Sequence, residues 1–176
     1  MPELIGKNNI RFLDKFPNDK LYHISDDSGI IEMYARIPSS AMDYEDTKHK
    51  RICFGKSVED CMKARPDCIL YSFGGQDLIY YVYSPKNLED IYIFNDNLHE
   101  LVPDAKFTNE IWVRNKKIEV ELIGKIKVFN YIEKEKFYIF KNEENKYVYS
   151  KTPLKNAIFC GYLDMDIDYQ MIPISA

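Results

Sequence analysis

An α+β fold made mostly of antiparallel strands, with one or two helices, is what the sequence predicts, and three observations carry it. Short runs rich in tyrosine and isoleucine, such as "KLYHIS", "DLIYYVYSP" and "EDIYIF", have the composition and alternation of strands. Polar stretches such as "DDSG" and "NEEN" separate these runs with residues that favour turns. A single segment, "KSVEDCMKARP", carries a full set of helix signals.

Each element follows in chain order. The first twenty residues are polar and mixed, with Phe12 and Leu13 as an apolar pair that docks a short helix. In "KLYHIS", Leu21, His23 and Ser25 alternate against Tyr22 and Ile24, and "DDSG" closes the strand. "EMYARIPSSAMDYEDTKHK" holds Pro38 and many polar residues, so it reads as a loop with at most one helical turn. "RICF" is a short strand leading into the helix. There Ser57 is the N-cap, Glu59 and Asp60 sit in the first turn, Lys63 and Arg65 in the last, and Pro66 stops it. "DLIYYVYSP" and "EDIYIF" are strands, "NLHELVPDAKFT" is a loop, and "NEIWVRN" is a strand. "EVELIGKIKVFNYI" is one long strand or a pair, and "KFYIFKNEENKYVYS" is a hairpin about "NEEN". The segment "NAIFCGYLDMDIDYQMIPIS" combines a buried-looking strand with an acidic alternation.

Composition narrows the function classes. At 176 residues, 45% hydrophobic and 30% charged, the chain has enough apolar mass for one core, so residues 1–176 form a single domain. A net charge of -4 provides no overall electrostatic footprint for duplex nucleic acid or an anionic membrane. No apolar run is long enough to cross a bilayer and the first residues lack a secretory apolar core, which predicts a soluble cytoplasmic protein. Cys53, Cys61, Cys68 and Cys160 match no compact zinc spacing and read as reduced, mostly buried residues. His23, His49 and His99 lie far apart and form no local metal motif.

The segment "TNEIWVRNKK" places Glu110, Trp112 and Arg114 on one side of a strand and Ile111 and Val113 on the other. As a plain strand this is a solvated face packed on its back. As a site, it is a carboxylate, an indole and a guanidinium presented together.

Three separated pieces resemble one family in the right order. "LYHIS" is similar to the first-strand Tyr-His element of ADP-ribosyltransferases of the diphtheria-toxin and poly(ADP-ribose) polymerase type. "RICFGKSVEDCMKA" resembles that family's second element, a short aromatic strand running into a helix opened by a serine. "TNEIWVRNKKIEVELIGKIKV" resembles the third, an Asn-Glu-aromatic strand that carries the catalytic glutamate. The resemblance spans residues 21 to 128 and is silent on the rest. It implies split, mostly antiparallel sheets, NAD as substrate, and transfer of ADP-ribose to a protein or nucleic-acid acceptor. Compact members of the family often act against a host or rival, so a bacterial or phage effector is implied.

Breaking the nicotinamide–ribose bond of NAD places positive charge on the sugar, as in other oxocarbenium-like displacements. A fixed carboxylate beside that sugar stabilises this charge more in the transition state than in the ground state. The resemblance gives that role to Glu110 and makes His23 the partner of the adenosine ribose. It places the backbone near Ile24 and Ser25, with the Ser57 hydroxyl, at the nicotinamide amide, Phe54 as a stacking ring and Arg36 or Arg51 on the diphosphate, and it counts Tyr22 of the Tyr-His element among the NAD-binding residues; Trp112, on the same face as Glu110, either walls a cleft or covers the core edge. Two positions depart: where the family has a stacking tyrosine in its second strand this chain has Cys53, with Tyr34, Tyr44 and Phe54 as candidate substitutes, and where a glycine commonly follows the histidine it has Ile24, with Ser25 one later.

Each of these residues also has a purely structural role open to it: a satisfied histidine, an N-cap, a core phenylalanine, a solvated Glu110–Arg114 pair. The 14 tyrosines fit sheet packing as well as a ligand site. Two other functions stay open: a non-catalytic interaction module on the same fold, and an NAD-dependent RNA phosphotransferase, which needs a basic groove.

Overall fold

The computed structural model describes residues 20–39, 45–64, 78–93, 98, 101–102 and 105–174. The elements are β1 His23–Ser25, β2 Glu32–Tyr34, β3 Ile52–Phe54, α1 Val58–Lys63, β4 Leu78–Pro85, α2 Ala105–Thr108, β5 Ile111–Val113, β6 Lys117–Lys141, β7 Tyr147–Ser150 and β8 Ile158–Pro173. Every strand pair is antiparallel. The protein is therefore β-rich, with two short helices among the described residues.

The 25-residue strand β6 is the spine of a six-stranded sheet. Its first half takes β4 on one side, with β1 beyond it, and β2 on the other. Its second half lies between β7 and β8. The expected hairpin is present: Lys141 pairs with Tyr147 across the "NEEN" turn, and Asn145 takes the left-handed conformation at φ 59 that asparagine tolerates.

A separate ribbon of β3 and β5 aligns Cys53 with Trp112 and Phe54 with Ile111. Backbone bonds between Tyr22 and Gly55, in both directions at 3.0 and 2.8 Å, tie this ribbon to the start of β1. One face of the ribbon, with Ile52, Phe54, Ile111 and Val113, shares a core with Tyr83 and Val120 of the large sheet. Helix α1 places Val58, Cys61 and Met62 in a second core with Val82 and Ile126.

Strand β4 feeds both cores because its successive side chains point to opposite faces. Tyr81 and Tyr83 join the ribbon's core, whereas Tyr80 and Val82 join that of α1. On β6, a register shift opposite Val82 and Tyr83 changes the phase of alternation. Val120 and Ile126, an even number of residues apart, thus enter different cores. Tyr83 also pins the loop after β1: its hydroxyl donates to the Asp27 carbonyl at 2.7 Å and accepts from the Ile30 amide at 3.3 Å.

Several elements differ from expectation. Glu32–Tyr34 is a strand, not loop, because its edge pairs with Lys117–Glu119 of β6. "EDIYIF" is reduced to one bridge between Ile93 and Val113, with Ile91 and Ile93 buried as anchors of an otherwise irregular segment. Ala105–Thr108 is helical where a loop was expected. The expected break between "EVELIGKIKVFNYI" and "KFYIFK" is absent, since β8 pairs alongside from Gly124 to Ile139. The Phe12–Leu13 helix, the Arg65 and Pro66 helix stop, Cys68 and His99 lie outside the described residues.

Candidate functional site

The site grows from the end of β3, where strand, turn and helix follow within five residues. Ser57 caps α1 as expected: its extended backbone (φ -138, ψ 167) precedes the helix and its hydroxyl accepts from the Asp60 amide at 3.0 Å. Gly55 sits between β3 and this cap. A Cβ there would lie 2.8 Å from the Cys61 sulfur and 3.0 Å from the Ser57 carbonyl oxygen. The turn is therefore closed tightly enough that only glycine fits without displacement. The Cys61 thiol faces the Tyr22 carbonyl at 3.1 Å, and burial pushes that thiol up to about 12, so it acts as a protonated packing group.

His23 approaches the same strand from β1. Its Nδ1 lies 3.0 Å from the Cys53 carbonyl oxygen and its ring meets Phe54 edge-on at 6.0 Å. A carbonyl oxygen only accepts, so Nδ1 carries the proton in this contact. Phe54 itself is buried in the ribbon's core beneath this contact.

Glu110 arrives from the other side. One step past the Phe54–Ile111 pair, the register brings Glu110 toward Gly55. Asn109, just before it, adopts φ 47, and its side-chain amide donates to the buried Asp60 carboxylate at 2.9 Å. The helix-capping region thus also holds the backbone that introduces Glu110. The carboxylate accepts the Trp112 indole N–H at 2.8 Å. It also interacts with the Cys53 thiol, which burial first, and then the negative charge and hydrogen bonding of Glu110, push well above its ordinary value, against the opposing effect of Arg51. Cys53 is therefore a protonated donor beside the carboxylate.

The face with Glu110, Trp112 and Arg114 is not the wet side of a strand. Trp112 is fully buried, packed against Leu98, Val102 and Ala105. Those residues belong to the segment before β5, which covers the ribbon's second face. Arg51, also buried, stacks its guanidinium 3.8 Å from the indole centroid. Its NH1 donates to the Asp46 carbonyl at 2.8 Å and the His49 carbonyl at 3.2 Å, and its Nε is a buried atom without a partner. Asp46 also receives the His49 ring Nδ1 at 2.9 Å.

The expected site residues thus fall into connected groups. His23 meets the Cys53 carbonyl and the Phe54 ring of β3, Glu110 and Trp112 meet Cys53 and Arg51, and Tyr22 and Ser57 flank Gly55. Arg36 pairs with Arg51 through backbone bonds of 3.1 and 3.0 Å, yet its own side chain is exposed while that of Arg51 is committed inward. Ser25 is turned into the loop, accepting from the Asp27 amide at 3.1 Å.

Three contributors have no signal in local sequence: Asp60, Asn109 and Tyr169. Tyr169 of β8 donates to Glu59 of α1 and packs beside Tyr22 against the second core. Burial, then the hydrogen bond to Glu59, pushes its hydroxyl up to about 12. Burial works to raise Glu59, but the bonds to Tyr169 and around Ser57 prevail and hold it low. Contacts between residues 59 and 169 or 60 and 109 join distant chain segments, and only an alignment of the elements in space reveals them. Among the described residues, no three His, Cys, Asp or Glu side chains group as metal ligands, and no helix is long and apolar enough to cross a membrane. No family model, curated protein or solved structure matches the chain.

Proposed function

We propose that this protein transfers ADP-ribose from NAD to a macromolecular target, with Glu110 as the catalytic carboxylate and His23 as a substrate-binding residue. The observation that carries this reading is the convergence of two distant segments on one strand end: His23 on the Cys53 carbonyl and Glu110 beside the Cys53 thiol. NAD needs an acceptor or donor for its ribose hydroxyls and a fixed negative charge near the bond that breaks. The His23 ring and the Glu110 carboxylate are the groups that would serve those two needs. Ser57 accepts the Asp60 amide as helix cap and turns its hydroxyl proton to Glu59, so in this reading a carboxamide would have to compete with Glu59 for that donor. Arg36, with its exposed side chain, is the better placed of the two arginines for a diphosphate. A cytoplasmic effector acting on a host or rival component is the setting we infer for such a compact transferase.

Cys53 favours a second reading, a non-catalytic interaction module, because no tyrosine stands at the stacking position. An NAD-dependent RNA phosphotransferase is less well supported, since Arg51 is turned inward to Asp46 and Trp112. Incubating the protein and its Glu110→Gln variant with labelled NAD and cell lysate separates these readings. Label on protein or nucleic acid that requires Glu110 supports the transferase. Partner capture of equal strength by both forms, without label, supports the module.

A further inference from the structure

Glu110 does not stand alone: a buried array behind it has no role in the chemistry described so far. The Trp112 indole donates to one carboxylate oxygen at 2.8 Å, and Arg51 stacks on the same indole at 3.8 Å. Asp46 and His49 hold Arg51 in turn through the backbone and the Asp46 carboxylate. Each link is buried or nearly so, and Trp112 is wedged among Leu98, Val102 and Ala105. A desolvated guanidinium over an indole is a strong cation–π contact, and it leaves the ring little freedom to rotate.

We propose that Trp112 is a positioning residue for Glu110, its indole N–H fixing the carboxylate and the Arg51 stack fixing the indole. This inference rests on the transferase reading for its catalytic meaning. Charge fixed before reaction stabilises a developing cation without reorganisation, which is where electrostatic catalysis gains most. A glutamate with three side-chain torsions would otherwise sample many orientations, so a donor two residues along the strand restricts it cheaply. Cys53 adds a protonated thiol beside the same carboxylate, consistent with a donor set built around Glu110. The array also gives the Arg51 burial a purpose other than binding phosphate.

The experiment joins kinetics to one resonance. Trp112→Phe keeps an aromatic ring under Arg51 but removes the N–H together with part of the indole's volume, so kcat for nicotinamide release should fall about tenfold or more, as expected for loss of a hydrogen bond to a charged group, with KM for NAD nearly unchanged. The chain has one tryptophan, so a nitrogen-labelled sample gives one indole N–H peak. That peak should shift and lose protection from solvent exchange in Glu110→Ala. An unshifted, equally protected peak, or a Trp112→Phe enzyme with unchanged kcat, overturns the inference. Should Trp112→Phe fail to fold, the resonance decides the contact by itself. A wild type that releases no nicotinamide overturns the transferase reading, and the catalytic role of Trp112 with it. Release by the wild type at a rate undiminished in Trp112→Phe overturns this inference alone.

Discussion

Gly55 shows how one residue links the fold to the candidate site. It bonds the start of β1 and closes the turn into α1, with the Cys61 sulfur and Ser57 carbonyl too close to admit a side chain. Gly55→Ala should destabilise the protein by roughly 1–3 kcal/mol, the usual effect of overpacking, because one of the close atoms is backbone. Chemical denaturation measures it, and a midpoint equal to that of the wild type would show that the turn yields more easily than its geometry implies. The left-handed Asn109 has a comparable place, since its tie to Asp60 sets the direction in which the chain enters Glu110.

Among the elements, α1 was legible because every signal is local: Ser57 caps it and acids fill its first turn. The "NEEN" hairpin was legible for the same reason. The ribbon strand β5 was located correctly but its faces were misjudged. Alternation of Glu110, Trp112 and Arg114 with apolar neighbours implies one dry side, yet the segment containing Leu98, Val102 and Ala105 covers the other. Nothing near residue 112 in sequence announces that cover. Strand β2 was missed because an exposed edge of three residues depends on its partner, and "EDIYIF" was overcalled because buried isoleucines anchor loops as well as strands. The contacts of His23 and Glu110 with Cys53 had no local signal, since the two residues stand 87 positions apart and each reaches β3 from a different segment. Strand β8 is fastened to α1 by the Tyr169–Glu59 bond, which lies at the surface. Tyr169→Phe should therefore lower stability by at most about 1 kcal/mol. Amide exchange should quicken first at the β8 end near residue 169; uniform exchange across β8 would argue against a local fastening.

Among the described residues, two cores lie on opposite faces of the large sheet and a third cluster surrounds Trp112, and the titration follows from what they bury. Cys61 in the second core is raised from 9.0 to about 12 by burial, and Tyr169 at its margin from 10.0 to about 12. Burial also raises Tyr83, and Cys53 is held well above its ordinary value. In the unfolded chain these groups lose protons at their ordinary values, while the folded protein retains them. The unfolded state therefore binds fewer protons, and stability falls as pH rises. The loss should begin near pH 9 with Cys61 and continue toward about 12. Thermal unfolding across that interval measures it, and Cys61→Ala should flatten the early part of the slope. A flat profile through this window would mean that the thiol is not buried as described.

Everything said about function depends on whether the strand end at Cys53 and Gly55 handles NAD. The most direct measurement is nicotinamide release from NAD by the purified protein beside its Glu110→Gln variant, which changes one carboxylate oxygen to an amide with little change in shape. The wild type should release nicotinamide, and the variant should be slower by a factor on the order of 100 to 1,000, the usual consequence of removing a principal electrostatic stabiliser. Equal release by both proteins, or none from a wild type that also fails to bind NAD in calorimetry, would contradict the transferase reading.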